Sequence, residues 1–308
     1  MPKLRFRGLF WVLTWAKALW KWGTLTTITQ GLLHLCLCLG LALGLGFADV
    51  AIAADQQSAA IHSSNPPTQA ELETVNLLFD QAFEATNRND FATAETYWTS
   101  ILETYPNNPA VWSNRGNARV SLHKLQEALV DYNQSIALAP DQPDPYLNRG
   151  AALEGLQQWD AAIADYNHVL ELSPNDAAAY NNRGNAKSGT GDWQAALADF
   201  QQAAQLNPSF ALARANCALA LYQLGQSEEA IHQFRNLVRK YPQFADMRAA
   251  LAAALWTQGQ RGEAESQWVA VVGLDSRYRN LEWVETIRRW PPAIADALAK
   301  FLSLQTKG

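Results

Sequence analysis

The sequence has little with which to do chemistry. Of its three cysteines, Cys36 and Cys38 fall inside an apolar N-terminal run and only Cys217 lies beyond it. A chain relieved of that run could close no internal disulfide and gather no thiolate set for a metal. Cys217 then reads as a small core residue. His62, His123, His168 and His232 are scattered, with no second ligand or nucleophile at a useful spacing. Gly184 and Gly191 flank a helix and a turn and do not follow a strand, so no phosphate-cradling loop is present. Glu228 and Glu229 read as an exposed helix start and not as an acid–base pair. The expectation is a protein with no catalytic residues, no metal site and no cofactor. Positive charge is also scarce: the formal net charge is −5, and Lys3, Arg5, Arg7, Lys17 and Lys21 all precede the apolar run. Without them the remainder is more acidic still, which excludes nucleic acid as a partner.

What is present begins with that leader. From Gly31 to Phe47 the chain holds no charged residue, and Ala48, Ala51, Ala53 and Ala54 follow. A basic start, an apolar middle and small residues spaced A-x-A at Ala51 and Ala53 form an export signal with cleavage expected after Ala53. The competing reading is a retained anchor, because Ile28 to Phe47 approaches the length that spans a bilayer. Both readings place the rest of the chain across a membrane, in a periplasm or a thylakoid lumen, since the positive end stays inside. Residues 1–53 are thus a signal or anchor. Residues 54–74, polar with a Pro66-Pro67 pair, are a flexible linker.

Beyond the linker the chain is periodic. Proline recurs at 106, 140, 174, 208 and 242 and alanine at 94, 128, 162, 196, 230 and 264, both stepping by about 34 residues. Six units begin at Val75, Pro109, Pro143, Ala177, Ala211 and Ala245 and end at Ser276. Within each, an aromatic, a small residue, an alanine and a second aromatic hold fixed offsets: Trp112, Gly116, Ala128, Tyr132; Tyr146, Gly150, Ala162, Tyr166; Tyr180, Gly184, Ala196, Phe200. Large residues fill holes left by small ones. Gly191, Gly225 and Gly259 mark the turn inside the last three units, Asp192 suits a helix cap, Asp160 suits a first helical turn, and proline stops the second helix. Each unit is therefore two helices. Units one, five and six depart from the pattern, with Ala218 and Ala252 replacing the glycine and Arg214 and Arg248 the leading aromatic.

These residues at these offsets resemble the tetratricopeptide repeat family. The resemblance implies an all-α fold, an α-solenoid of six helix pairs over residues 75–276 wound into a right-handed superhelix, with capping helices over 277–308. It also implies that the first helices line a concave groove in which asparagines hydrogen-bond the backbone of an extended protein or peptide partner. The matching residues here are Asn114, Asn148, Asn182 and Asn216 at the unit period, with Asn117 and Asn185 one helical turn on. An amide both donates and accepts, so it can pair with a peptide NH and a carbonyl together. Those asparagines could equally bond neighbouring helices, and recurrence alone does not separate the two roles. No lysine takes the place of the groove lysines that clamp a terminal carboxylate in some members, and Lys187 is not at such a position.

Three further expectations follow. Arg115, Arg149 and Arg183 recur with Asp131, Asp165 and Asp199, and read as structural charge pairs between antiparallel helices. Trp98, Trp159, Trp193 and Trp268 read as core. Small and polar Ser113, Asn181 and Ser188 give way along the groove to Leu219, Tyr222 and Trp256, so the groove is expected to be graded from a polar to an apolar end. After unit six the chain breaks at Pro291-Pro292 and resumes as an amphipathic helix carrying Ile294, Leu298, Phe301 and Leu302. That helix is either a cap on the last repeat or a docking helix. The functional expectation is a scaffold or assembly factor that holds a protein segment in its concave groove. The contrasting expectations are an accessory subunit of an enzyme complex and a spacer binding through its convex face. Membrane association would come only through the N-terminal apolar segment.

Overall fold

The computed structural model describes residues 68–305. The leader, its cleavage site and most of the linker lie outside the described residues. Among the described residues there is no strand, and no helix is long and apolar enough to cross a membrane.

The helices pair as the periodicity requires. They are α1 (Gln69–Asn87) with α2 (Phe91–Thr104), α3 (Pro109–Ser121) with α4 (Leu125–Leu138), and α5 (Pro143–Gly155) with α6 (Trp159–Leu172). Then come α7 (Ala177–Gly189) with α8 (Trp193–Leu206), α9 (Ala211–Gln223) with α10 (Ser227–Lys240), and α11 (Ala245–Thr257) with α12 (Arg261–Leu274). α1 starts ahead of the repeat boundary at Val75, inside the stretch read as linker. A short 3₁₀ turn, Ser276–Arg279, leads to α13 (Leu281–Thr286) and α14 (Pro292–Gln305). Each helix packs on the next, and the first helices α3, α5 and α7 also touch in succession, which puts first helices on the inside of the curve.

The local chemistry behind this is regular. Every alanine of the periodic series, from Ala94 to Ala264, is fully buried at the crossing of its two helices. A Cβ on Gly116, Gly150 or Gly184 would lie 2.6–2.7 Å from the ring of Tyr132, Tyr166 or Phe200. The small residue is therefore a condition of the aromatic's seat. Asp90 and Asp192 cap α2 and α8 through Thr93 and Ala195 amides, while Asn108 and Asp176 cap α3 and α7. The turn between paired helices needs a left-handed residue in every unit. Gly191, Gly225 and Gly259 supply it in the last three, and Asn89, His123 and Gln157 adopt the same positive φ in the first three.

Apolar core is unevenly distributed. Large clusters lie at the two ends, one around Trp98 and one running from Ala196 through the last units to Phe301. The middle units hold small ones around Tyr132 and Tyr166. There the helices are joined instead by a repeated polar clamp. Arg115, Arg149 and Arg183 each make two parallel bonds of 2.6–3.0 Å to Asp131, Asp165 and Asp199 on the paired helix. The remaining guanidinium nitrogen reaches the preceding unit's second helix at Thr99, Asn133 or Asn167. Each guanidinium also lies over the leading aromatic of its own helix, Trp112, Tyr146 or Tyr180. One side chain thus ties three helices. Asp131 takes a second cation from Arg119, and Asp199 one from Lys187.

Trp98 and Trp268 are core, whereas Trp159 and Trp193 are only half-buried because they sit at helix starts along the rim. Trp159 covers Gly189 of the next unit.

The clamp makes a double-variant prediction. Asp165 is 5% exposed and has one cationic partner, so Arg149→Ala should strand a buried carboxylate at a cost of about 3 kcal/mol. The combined change Arg149→Ala with Asp165→Ala should cost less than either single change. Denaturant unfolding of the four proteins measures this, and an additive result would show that the two charges do not act as a pair.

Candidate functional site

The inner face is two surfaces in series. Over units two to four the first helices are polar and half-exposed. Over units five and six they are apolar on every side through their middle and last turns: α9 is buried from Cys217 to Tyr222 and α11 from Ala249 to Leu255. A helix without a polar face has to be covered. The cover is α14, which packs on α11 and α9, with Ile294, Leu298 and Phe301 fully buried. Phe301 sits edge-on between Trp256 and Trp268 at 5.1 and 5.2 Å.

This corrects the expectation of a graded groove. Leu219 and Tyr222 are 7% and 8% exposed, and Trp256 faces Phe301, so the apolar end is filled by the chain's own C-terminal helix. α14 lies along the inner face of two units as well as closing the last one. A signal for this was present in the sequence: the alanine-rich stretches 211–223 and 245–257 have no polar stripe.

The tail is fixed by a residue that sequence reasoning missed. Asp246, at the start of α11 and 6% exposed, accepts hydrogen bonds from the Tyr278 hydroxyl at 2.6 Å and the Trp290 indole at 2.8 Å, and pairs with the Arg288 guanidinium. Three donors from the segment after unit six converge on one carboxylate. The Ala293 amide donates to the Gln223 side chain at 2.8 Å. Arg289, in a left-handed conformation, lays its guanidinium over Trp159 of unit three. The tail therefore borders the inner face well before the units that α14 covers.

The asparagines divide into three groups. Asn216 donates to Asn181 and Asn185 at 3.0 and 3.1 Å, and Asn181 donates to Asn182 at 3.2 Å, which links α9 to α7. Asn182, Asn185 and Asn216 are thus engaged with one another through the nearly buried Asn181. Asn117 is exposed and accepts from the Tyr132 hydroxyl at 2.8 Å. Asn114 and Asn148 are half-buried, one repeat apart on the inner helices, and neither side chain bonds to another described residue. Lys187 pairs with Asp199 and faces no groove.

Further along α5 from Asn148, Glu154 accepts from the Tyr166 hydroxyl at 2.5 Å. Burial pushes its carboxyl up to about 7, against the opposing effect of that hydrogen bond and of Arg289. Burial likewise holds the Cys217 thiol up at about 12, where it is no nucleophile. Among the described residues no group of His, Cys, Asp and Glu side chains is placed to hold a metal.

Comparison with known proteins agrees with this geometry. Models of the TPR repeat match residues 116–157 and 155–191, and models of the tetratricopeptide repeat match 177–210 and 217–276, together about half of the chain. No curated protein matches. Among solved structures, a tetratricopeptide repeat protein from Parabacteroides merdae is 19% identical, with 76% of this chain and 99% of that one covered at a TM-score of 0.59. The thermophilic TPR protein TTC0263 of Thermus thermophilus is 19% identical over 59% and 99%, with a TM-score of 0.50. MamA of Desulfovibrio magneticus is 20% identical over 54% and 93%, also at 0.50. At these identities the likeness is one of fold.

Glu154 supplies a pH prediction. A carboxyl whose pKa rises on folding from 4.5 to about 7 favours the fold in its protonated form. That contribution is whole below pH 4.5 and fades as the pH climbs through 7. Glu154→Gln keeps a neutral acceptor for Tyr166 at all pH values. Its melting temperature relative to the parent should therefore be several degrees higher at pH 8 than at pH 4.5. A difference that does not change with pH would rule out Glu154 as the titrating group.

Proposed function

Since the chain belongs to the tetratricopeptide repeat family, we propose that it is a non-catalytic scaffold that holds an extended protein segment against the inner face of units two to four. The observation that carries this reading is the pair Asn114 and Asn148. A half-buried amide with no partner in its own fold has unused donors and an acceptor, and two of them at one repeat spacing present those groups in a row. A visiting strand offers NH and C=O groups along its length to match. Asn182, Asn185 and Asn216 serve differently: their mutual bonds hold one orientation and leave fewer lone pairs and protons for a visitor. The bound segment is short, because α14 occupies the inner face beyond unit four. Its contacts are to main chain, so selectivity rests on what Ser113, Glu154 and the Arg289 rim tolerate nearby.

We also propose that residues 1–53 deliver the scaffold across a membrane, on the strength of the basic start, apolar middle and A-x-A spacing. Fractionation of cells expressing the full chain, with the mature N-terminus sequenced, tests this. Protein retained in the cytoplasm with Met1 intact would refute it.

Groove binding is tested by selecting displayed peptides against the full chain and measuring their affinity for Asn114→Ala with Asn148→Ala. Loss of two amides with no internal partner should leave the melting temperature unchanged and weaken the selected peptides at least tenfold. Equal affinity for the parent and the double variant would remove these asparagines from the binding face.

A further inference from the structure

The outer face carries a second candidate site, independent of the inner groove, where the polar clamp has been dismantled. One repeat on from Arg183 stands Cys217, one repeat on from Asp199 stands Gln233, and one repeat on from Asn167 stands Gln201. The three groups that tie helices together in units two to four are thus all replaced at the junction of units four and five. A cleft of about 610 Å³ opens there between the second helices α8 and α10, with α9 as its floor, lined by Gln201, Cys217 and Gln233 among others. Its charged residues are Arg214, Arg239 and Lys240, and no carboxylate lines it.

Arg214 is the informative one. It stands where units two to four have Trp112, Tyr146 and Tyr180, and unit six makes the same exchange with Arg248. Arg248 is satisfied internally, by the Gln267 amide oxygen at 2.7 Å and the Pro242 carbonyl at 2.8 Å. Arg214 has the corresponding candidates and bonds to neither. Gln233 turns to Glu229 at 2.9 Å, and no described residue accepts a hydrogen bond from the Arg214 guanidinium. The neighbouring cations are differently placed: Arg239 bonds Asn236, and Lys240 lies over Tyr241. At the junction of units five and six, where the clamp is also lost, buried Leu251 fills the arginine's place and Arg235 pairs with Glu263.

We propose that this cleft receives an acidic side chain from a partner protein, with the incoming carboxylate on Arg214 making a guanidinium–carboxylate pair of the kind that the chain supplies to itself in units two to four. The planar fork of arginine takes a carboxylate through two parallel bonds, as it does at Asp131, Asp165 and Asp199. Arg239 and Lys240 at the rim favour an acidic segment over an isolated acidic residue. The cleft volume is several times that of a carboxylate and admits the adjoining chain.

The test titrates a fluorescein-labelled peptide of six aspartates with the full chain at low salt, following anisotropy. The parent should bind it, and Arg214→Ala should weaken binding at least tenfold with unchanged thermal stability. Gln233→Glu, which places the chain's own carboxylate in the cleft, should weaken binding to a similar degree and raise the melting temperature. Arg88→Ala, which removes an exposed arginine in the turn just after α1, should bind as the parent does. Absence of binding by the parent, or equal binding by Arg214→Ala, overturns the proposal. Displacement of the peptide by inorganic phosphate at concentrations where acetate has no effect overturns the carboxylate assignment in favour of a phosphate site.

Discussion

An open stack of helix pairs must bury its inner face wherever that face is apolar, and the layout of this protein follows from how the chain does so. Units five and six present long apolar stretches on α9 and α11, from Cys217 to Tyr222 and from Ala249 to Leu255, which are costly to leave in water. The chain answers with α14. Because the cover comes from its own C-terminus, it is present at an effective concentration no separate partner matches. The inner face that α14 leaves uncovered is the polar part, over units two to four.

Holding the cover in place raises an electrostatic difficulty, since Asp246 is buried and charged. Three donors from one segment satisfy it, and together they specify where the chain turns before Pro291. A carboxylate in that position stabilises only when its donors are all present, so the anchor is cooperative. The C-terminal segment is therefore not a loose appendage. It crosses to Trp159 before α14 begins and meets Gln223 at the first turn of α14, and the fold of the last units and the extent of the free groove are set by the same contacts.

The middle of the solenoid is held by different means. Small apolar clusters there are supplemented by bidentate Arg–Asp clamps, each tying a first helix to its own second helix and to the one before. Such clamps cost desolvation and return geometric definition more than net stability. Where the clamp is missing, at Cys217 and Gln233, the outer face instead holds a cleft with Arg214 in its lining.

How much of this was legible in the sequence depends on the separation of the contacting residues. Ala128, Gly116 and Tyr132 lie within one unit, and Arg149, Asp165 and Asn133 within neighbouring ones. Their recurrence at one period reported the helix pairs, the aromatic seats, the proline stops and the charge pairs directly. The roles of the asparagines were not legible, because Asn114 and Asn216 stand at the same repeat position while only Asn216 meets Asn181 and Asn185. The aromatic, glycine and alanine at fixed offsets determined by themselves that this chain is a stack of helix pairs, since each pair closes over contacts its own residues supply. Only the tertiary structure decided which stretch of the inner face is free. That depends on the stack's curvature bringing Arg289 to Trp159, Trp290 to Asp246 and Phe301 to Trp256, across separations at which no repeat spacing constrains the partner.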